Sequence, residues 1–477
     1  MFVSKLRLYL VNVGLRVPLF QLSTPPLGLM YLAGYLRERF DLDIRVVNQK
    51  VENLSHKTLA EDIVAYGADI VGLSALTPFG YALGEVSRRV REGLPKALIV
   101  LGGPHASSFC EKALEGTDAD ALVVGEGERA LEQVIQEYFF GGRDLSLIPG
   151  LIWRDSDGGM VRNPGMVPLI EDLDSLPFPA YDLIDLRKYW KLPSMPPIPR
   201  RRYISFLSSR GCPYQCIYCH RIFGKRFRKH SAERMVDEME FFSKKHGVRD
   251  IEFVDDSFNI DGDRVIRFSE LLRQRGLNIK IAFSNALRGD VLTEETVDAL
   301  CDAGMYFSSF ALETGSPRLQ RLIGKNLNIP KYLRGVELAA KRGVFTNGFN
   351  MLGFPTETEE ELQMTIDTVC GSALHNASFF TVTPFPNTAL YDLVRENKPE
   401  ALKNLSYDNS DFIRIFVNCT DLPDEVLFAY QRKANRQFFF NANRIFRMLR
   451  DYPQRRRLFQ YAPTMIHRTM KGIFGGR

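Results

Sequence analysis

Three of the seven cysteines in this 477-residue chain fall within eight residues, in the run RGCPYQCIYCH at 210–220. Cys212, Cys216 and Cys219 make a Cys-x3-Cys-x2-Cys array. Three thiolates so spaced on one loop suit three irons of a cubane cluster, with the fourth iron open to a non-protein ligand. The alternative is a structural zinc site completed by the adjacent His220, although the paired Cys-x2-Cys spacings of such sites are not repeated here. Cys110, Cys301, Cys370 and Cys419 are scattered and read as ordinary core or surface thiols. Seven cysteines over this length do not make a disulfide framework. Lys5, Arg7 and Arg16 interrupt the apolar N-terminal stretch and no small-residue cleavage site follows, so a signal peptide is not expected.

The elements that must position this loop follow a regular alternation. Residues 1–140 read as strands at 6–13, 43–48, 68–76, 97–103 and 119–127, separated by amphipathic helices at 27–40, 57–67 and 79–93. Near-continuous apolar strands between helices imply a parallel sheet covered on both faces, with ligands at the carboxyl ends of the strands. Residues 141–200 hold GG and DGG turns and the proline run LPSMPPIPR, and read as a linker with a small hairpin near 151–154 and 160–162. Six further strand candidates follow, at 203–209, 250–256, 280–285, 306–312, 345–352 and 378–383, with helices between them. Six β/α units over this span fit a partial barrel better than a full eight-fold one. The cysteine loop directly follows the first of these strands. From 421 to 477 the chain reads as a basic helical region.

On these residues the chain resembles the radical S-adenosylmethionine (SAM) enzymes. The resemblance implies a 4Fe-4S cluster on Cys212, Cys216 and Cys219, with SAM chelating the open iron. It further implies reductive cleavage of SAM to methionine and a 5′-deoxyadenosyl radical, fed by an external flavodoxin- or ferredoxin-type donor. The family's partial (β/α)6 barrel agrees with the six strands. Tyr218 stands before the last cysteine, as is common in the family. Asp255 and Asp256, ending the second strand, lie where the SAM amino group is recognised, although Asp256 is also a helix-cap candidate. Asn285 and Arg288 are candidates for the SAM carboxylate or ribose, against a reading as solvated loop residues. Glu313 is placed to accept from the ribose hydroxyls, and Gly353 and Pro355 supply a tight turn near the adenine.

The first 140 residues resemble the cobalamin-binding domain that precedes the barrel in one branch of that family. Ser74-Ala75-Leu76 matches a Ser-x-Leu motif and Gly102-Gly103 a Gly-Gly motif, while Glu126 lies in the GEGE run typical of the branch. Small residues at strand ends let the nucleotide tail of cobalamin enter between strands. One departure is that residues 12–17 read NVGLRV, with no Asp-x-His-x-x-Gly and so no histidine for the lower face of the cobalt. His105, after Gly102-Gly103-Pro104, reads as a polar contact to the corrin or a loop residue. The fold expected is therefore α/β: a Rossmann-like cobalamin domain (1–140), the linker (141–200), a radical SAM barrel (201–420) and a helical tail (421–477).

Hydrophobic residues make up 45% and charged residues 25%, which excludes disordered and collagen-like chains. The net charge of +5 conceals a division: residues 432–477 carry 12 bases against one acid, and the remainder is net acidic. Phe438, Phe439, Phe440, Phe446, Leu449 and Phe459 are interleaved with these bases. Such a region can lie on anionic lipid headgroups, bind nucleic acid, or pack on its own domain; no RNA-binding module supports the nucleic-acid option. The function expected is methylation of an unactivated carbon of a small-molecule or lipid-associated substrate, in the cytoplasm or peripherally at a membrane. The alternatives are a cobalamin-dependent radical cyclase or rearrangement enzyme, and a non-catalytic iron–sulfur sensor.

Overall fold

The computed structural model describes residues 5–16, 23–196, 198, 201–403, 405–408 and 417–458. The chain divides into two compact units, one built on Met1–Tyr189 with His220–Arg228 and Tyr407–Ser410, the other on Trp190–Cys219, Lys229–Ser406 and Asp411–Arg477.

The first unit holds one sheet of seven strands: β1 (Leu6–Val13), β2 (Leu42–Asn48), β3 (Ile70–Ala75), β4 (Leu98–Gly102), β5 (Ala121–Leu122), β6 (Ile152–Arg154) and β7 (Met160–Arg162). Their order is β2-β1-β3-β4-β5-β6-β7. The first five are parallel, and the order reverses between β1 and β3, the place where such sheets leave a crevice for ligands. Tyr9, Val11, Leu73, Ile99 and Leu101 are fully buried beneath the helices Ala82–Gly93 and His56–Tyr66. The latter helix is capped by the Ser55 side chain and ended by Gly67 at φ +67°. Two expectations change here. The strand expected over 119–127 is paired only at Ala121–Leu122, because the glycines of GEG turn the chain away, with Gly125 at φ +85°. The hairpin expected in the linker forms, but as the antiparallel continuation of this sheet.

The second unit holds a six-stranded parallel sheet in sequential order: β8 (Tyr203–Phe206), β9 (Asp250–Phe253), β10 (Lys280–Leu287), β11 (Met305–Glu313), β12 (Phe345–Leu352) and β13 (Asn376–Thr381). Helices between them start on side-chain caps at Ser231, Asp261, Thr293, Ser316, Asn328 and Thr358. Thr358 with Glu361 and Thr293 with Thr296 close full capping boxes. The interior is aromatic: Phe253 stacks on Phe283 with centroids 5.0 Å apart, and Phe258 lies 4.7 Å from both. At the amino end of the sheet Arg201 is buried against Asp250 at 2.6 Å and Glu252 at 2.6 Å. That pairing leaves the opposite, carboxyl edge as the site-bearing face.

The start of the basic region is part of this unit. The helix Asp424–Phe439 buries Leu427, Gln431, Ala434 and Phe438, a spacing that keeps them on one face. Gln431 donates to the Phe379 carbonyl at 3.0 Å, and Phe438 packs edge-on against Phe379. Residues 459–477 of the expected helical tail lie outside the described residues.

Candidate active site

The carboxyl ends of β8 to β12 bring the cysteine loop together with residues from four other strands. Chain leaving β8 is fixed by Asp255, which follows β9. The Asp255 carboxylate accepts from the Ser208 amide at 3.0 Å, from the Ser208 hydroxyl at 2.7 Å and from the Ser209 hydroxyl at 2.5 Å. Burial pushes its pKa up, while these hydrogen bonds and the Arg264 guanidinium pull the other way. The loop is then clipped by its backbone: Ile217 N–H donates to Ile323 O at 2.9 Å and Leu390 N–H to Ile217 O at 2.9 Å. Gly324, at φ +66°, lets the Gln215 carbonyl approach where a Cβ would meet it at 2.5 Å. Cys212 Sγ lies 3.5 Å from the Ser257 hydroxyl.

All three loop cysteines are free thiols of intermediate exposure. No three His, Cys, Asp or Glu side chains among the described residues converge as a single metal ion requires. Three thiolates on one loop, one for each of three irons, make a donor set that suits a cluster. Burial pushes the Cys216 thiol up, and Lys325 and Tyr218 beside it act in the opposite direction. Lys325 was not singled out from the sequence. Its Nζ lies 3.2 Å from Glu313 Oε1, with both side chains 10% exposed. Tyr218 OH donates to the same oxygen at 3.3 Å. Glu313 ends β11 at φ +68°, a conformation that turns its side chain out of the strand's alternation. Its hydrogen bonds among the described residues fall on Oε1, which leaves Oε2 for a ligand.

The residues expected to contact SAM have the following partners within the protein. Asp255 latches the cysteine loop mainly through Oδ1, while Oδ2 shares only the Ser208 amide at 3.1 Å. Arg288 is held by Asp290 at 2.8 Å, donates to the Lys325 carbonyl at 3.1 Å, and stacks over Tyr214 of the cysteine loop at 3.7 Å. These contacts tie it to the cysteine loop. Gly353 has φ +100°, but a Cβ there would meet Leu427 at 3.1 Å, and its N–H donates to Glu357 Oε2 at 2.6 Å. The glycine serves that turn and the helix packed on it. Tyr218 reaches Glu313 and so positions that carboxylate. Asp256 is half-buried and Asn285 exposed at the same edge, with Asn285 Nδ2 donating to Asp255 O at 3.0 Å. Burial holds the Cys301 and Cys370 thiols up at about 11 and Cys419 at about 12, which keeps them protonated.

In the first unit the strand register sets Asn12, Ser74 and Gly102 side by side across β1, β3 and β4. Gly103, at φ +80°, packs so closely that a Cβ would meet Ser74 Oγ at 2.2 Å. Gly102 opens on empty space, and Leu76 beside it is exposed. The His105 ring lies 4.5 Å from Phe109 and against Gly80, and its buried Nδ1 has no partner among the described residues. Burial holds its pKa down at about 4. An open glycine edge, an exposed leucine and an orphaned ring nitrogen together fit a large ligand with an apolar face and amide side chains, as cobalamin has. Glu126, also expected near the cobalamin, is engaged within the protein. Its carboxylate is paired with Arg228 in full burial and accepts the Ile170 N–H at 3.1 Å. It holds the 121–128 loop instead.

Comparison with known proteins identifies two matching families along the chain. Residues 206–369 match the Radical SAM superfamily and residues 19–135 match the B12 binding domain. The chain is 30% identical over 455 residues to an uncharacterised methyltransferase of Pyrococcus horikoshii, covering 94% of this chain and 93% of the relative. It is 26% identical over 477 residues to the cytidylyl-2-hydroxyethylphosphonate methyltransferase of Streptomyces wedmorensis, covering 88% and 87%. In fold it is similar to the cobalamin-dependent SAM radical enzyme OxsB solved with aqua-cobalamin and SAM bound, with TM-score 0.74, 17% identity, and coverage of 99% of this chain and 72% of that one.

Proposed function

The chain belongs to the cobalamin-binding radical SAM enzymes, and from that premise we propose that it methylates an unactivated carbon of a small-molecule substrate, with the division of labour below. The reading rests above all on the cysteine loop, latched by Asp255 and clipped at Ile217, standing at the edge where Glu313, Lys325 and Asn285 gather. When bound, the cluster, SAM and cobalamin supply the electron, the 5′-deoxyadenosyl radical and the methyl group. Cys212, Cys216 and Cys219 ligate the cluster. Asp256 and Asn285 take the SAM amino and carboxylate end, and Glu313 Oε2 accepts from the ribose while Lys325 holds the other oxygen still. Arg288 and Asp255 keep the loop in register. Ser74 hydrogen-bonds the nucleotide tail of cobalamin, Leu76 meets its apolar face, and Gly102 and Gly103 leave room for the tail's entry.

The reducing electron comes from an external donor protein. The finer reading, that the substrate is lipid-associated and the enzyme peripheral at a membrane, is supported by the basic C-terminal region; no helix among the described residues is long and apolar enough to cross a membrane. Anaerobic reconstitution with iron, sulfide, cobalamin and methyl-labelled SAM, with dithionite supplied as the reductant, tests the assignment. Expected are 5′-deoxyadenosine and label in product, both lost in Cys216→Ala together with the cluster's visible absorption. 5′-Deoxyadenosine without label transfer would turn the reading to cyclisation or rearrangement. A full cluster that leaves SAM intact would sink both.

A further inference from the structure

The helix Ala442–Asp451 is packed the wrong way round. Its buried residue is Arg444, which donates to the Cys370 carbonyl at 2.6 Å and to the Leu374 carbonyl, and stacks on Phe438 at 3.8 Å. Its large apolar residues face outward: Ile445 is 43% exposed, Phe446 66% and Leu449 51%. The spacing i, i+1, i+4 places these three within an arc of about 100° on the helix. Phe440, 65% exposed, stands two residues before the helix. Single exposed apolar residues are ordinary, but four within ten residues, beside an arginine turned inward, mark a face that is covered in use.

We infer that this face docks on an anionic phospholipid surface, with Phe440, Ile445, Phe446 and Leu449 entering the headgroup–acyl boundary. Charge complementarity selects this occupant. An open groove on the preceding helix is lined by Arg432, Lys433, Arg436, Gln437 and Phe440. Arg447 and Arg450 follow on the inverted helix, and Arg455 and Arg456 come after it. The one acid among them, Asp451, is taken by Arg450 at 2.8 Å and by His375 at 3.1 Å. A second copy would set bases against bases. Residues 459–477 add three more bases and no acid to this run. Nucleic acid would answer the charge and leave the phenylalanines in water. An anionic bilayer answers both, since its headgroups meet the bases and its acyl boundary meets the apolar face. This inference deepens the peripheral-membrane part of the proposed function and is independent of the chemistry at the cluster.

The test is co-sedimentation of the full chain with vesicles of phosphatidylglycerol and phosphatidylcholine, against phosphatidylcholine alone. The chain should pellet with the anionic vesicles and be released by high salt. Phe446→Ser and Leu449→Ser should each weaken binding about tenfold, and Lys433→Gln about fivefold. Because these side chains are exposed, the thermal midpoint should not move, and SAM cleavage by the reconstituted enzyme should continue. Failure to pellet with anionic vesicles, or equal pelleting of the Phe446 and Leu449 variants, would overturn the inference. So would self-association of the wild type abolished by the same substitutions without vesicle binding, which would assign the face to a second copy. Loss of SAM cleavage in the wild type would strike the proposed chemistry and leave the vesicle result standing.

Discussion

Replacing Lys325 by Met keeps the length and apolar stem of the side chain and removes its ammonium. In the native protein that ammonium sits 3.2 Å from Glu313 Oε1, with both groups 10% exposed. At that distance the attraction is about 5 kcal/mol for an effective dielectric constant of 20. Most of it offsets desolvation of the two ions, so the measurable effect is the penalty of leaving Glu313 buried without its partner, about 3–5 kcal/mol. Tyr218 remains as a neutral donor at 3.3 Å and recovers about 1 kcal/mol of this. Urea unfolding of the cluster-free protein should therefore show Lys325→Met destabilised by about 2–4 kcal/mol. Glu313→Gln should be similar, and the double variant should cost less than the sum of the two, since neither charge is then stranded. A second readout separates position from stability. In the reconstituted protein the Lys325 variant should bind SAM about tenfold more weakly, as Glu313 is no longer held for the ribose. A loss of stability under 1 kcal/mol, or strict additivity in the double variant, would refute the reasoning, because it would mean that water already screens the pair.

Three other perturbations follow from the same geometry. Burial pushes Glu357 up to about 8, against hydrogen bonds from the Gly353 and Phe354 amides. A carboxyl raised in the folded state binds its proton more tightly there, so stability should fall as pH rises from about 4.5 to 8, by about 1.4 kcal/mol per pH unit from this group alone. Glu357→Gln, which keeps an acceptor for both amides, should flatten that part of the urea-derived profile; an unchanged slope would acquit Glu357. Asp255→Asn puts an amide among three donors and should cost about 2–4 kcal/mol with reduced iron per chain. If Asp255 instead served only the SAM amino group, SAM affinity would fall with iron content and stability intact. Gly103→Ala should lower stability by about 1–3 kcal/mol and weaken cobalamin binding, because φ +80° is costly for alanine and its Cβ displaces Ser74; unaltered cobalamin retention on gel filtration would contradict it.

The strands and the cysteine loop were readable because their signals are local. Apolar runs such as FTNGFNML, which is β12 residue for residue, need no partner to be recognised, and the thiol spacing carries its own chemistry. What misled was the partnering of polar residues at the strand ends. Asp255 and Asp256 are adjacent and chemically identical in sequence, yet Asp255 is buried against Ser208 and Ser209 while Asp256 is half-buried at the edge. Arg288 looks like an anion receptor until Asp290, two residues on, and Tyr214, far upstream, are seen to occupy it. Glu126 likewise meets Arg228 only through the fold. Apart from Arg288 with Asp290, each such pairing joins residues separated by tens of positions, and no periodicity announces it. Lys325 was invisible for the same reason, although the Gly-Lys step after an amphipathic helix, next to a backbone turn tight enough to need Gly324, was a usable hint.

The misreadings also share a direction. In the two best-defined cases, Asp255 and Arg288, a side chain expected to touch a ligand is engaged with the cysteine loop. That follows from the demands of the site. A cluster loop with three ligating thiols has few polar side chains left to fix itself, so its geometry must be imposed from neighbouring strand ends by Asp255, Arg288 and the Ile217 clips. A radical step tolerates little misplacement, since small shifts of the reacting atoms cost large factors in rate. Buried charge is therefore spent on positioning, and direct recognition falls to the few groups left with free capacity, above all the second oxygen of Glu313. If so, variants of the positioning residues should lower iron content or stability before they alter SAM affinity, while Glu313→Asp, which shortens the reach to the ribose but keeps the charge for Lys325, should weaken SAM binding with stability nearly intact. The opposite order of effects, measured by iron assay, urea unfolding and SAM titration on the same preparations, would return Asp255 and Arg288 to the ligand.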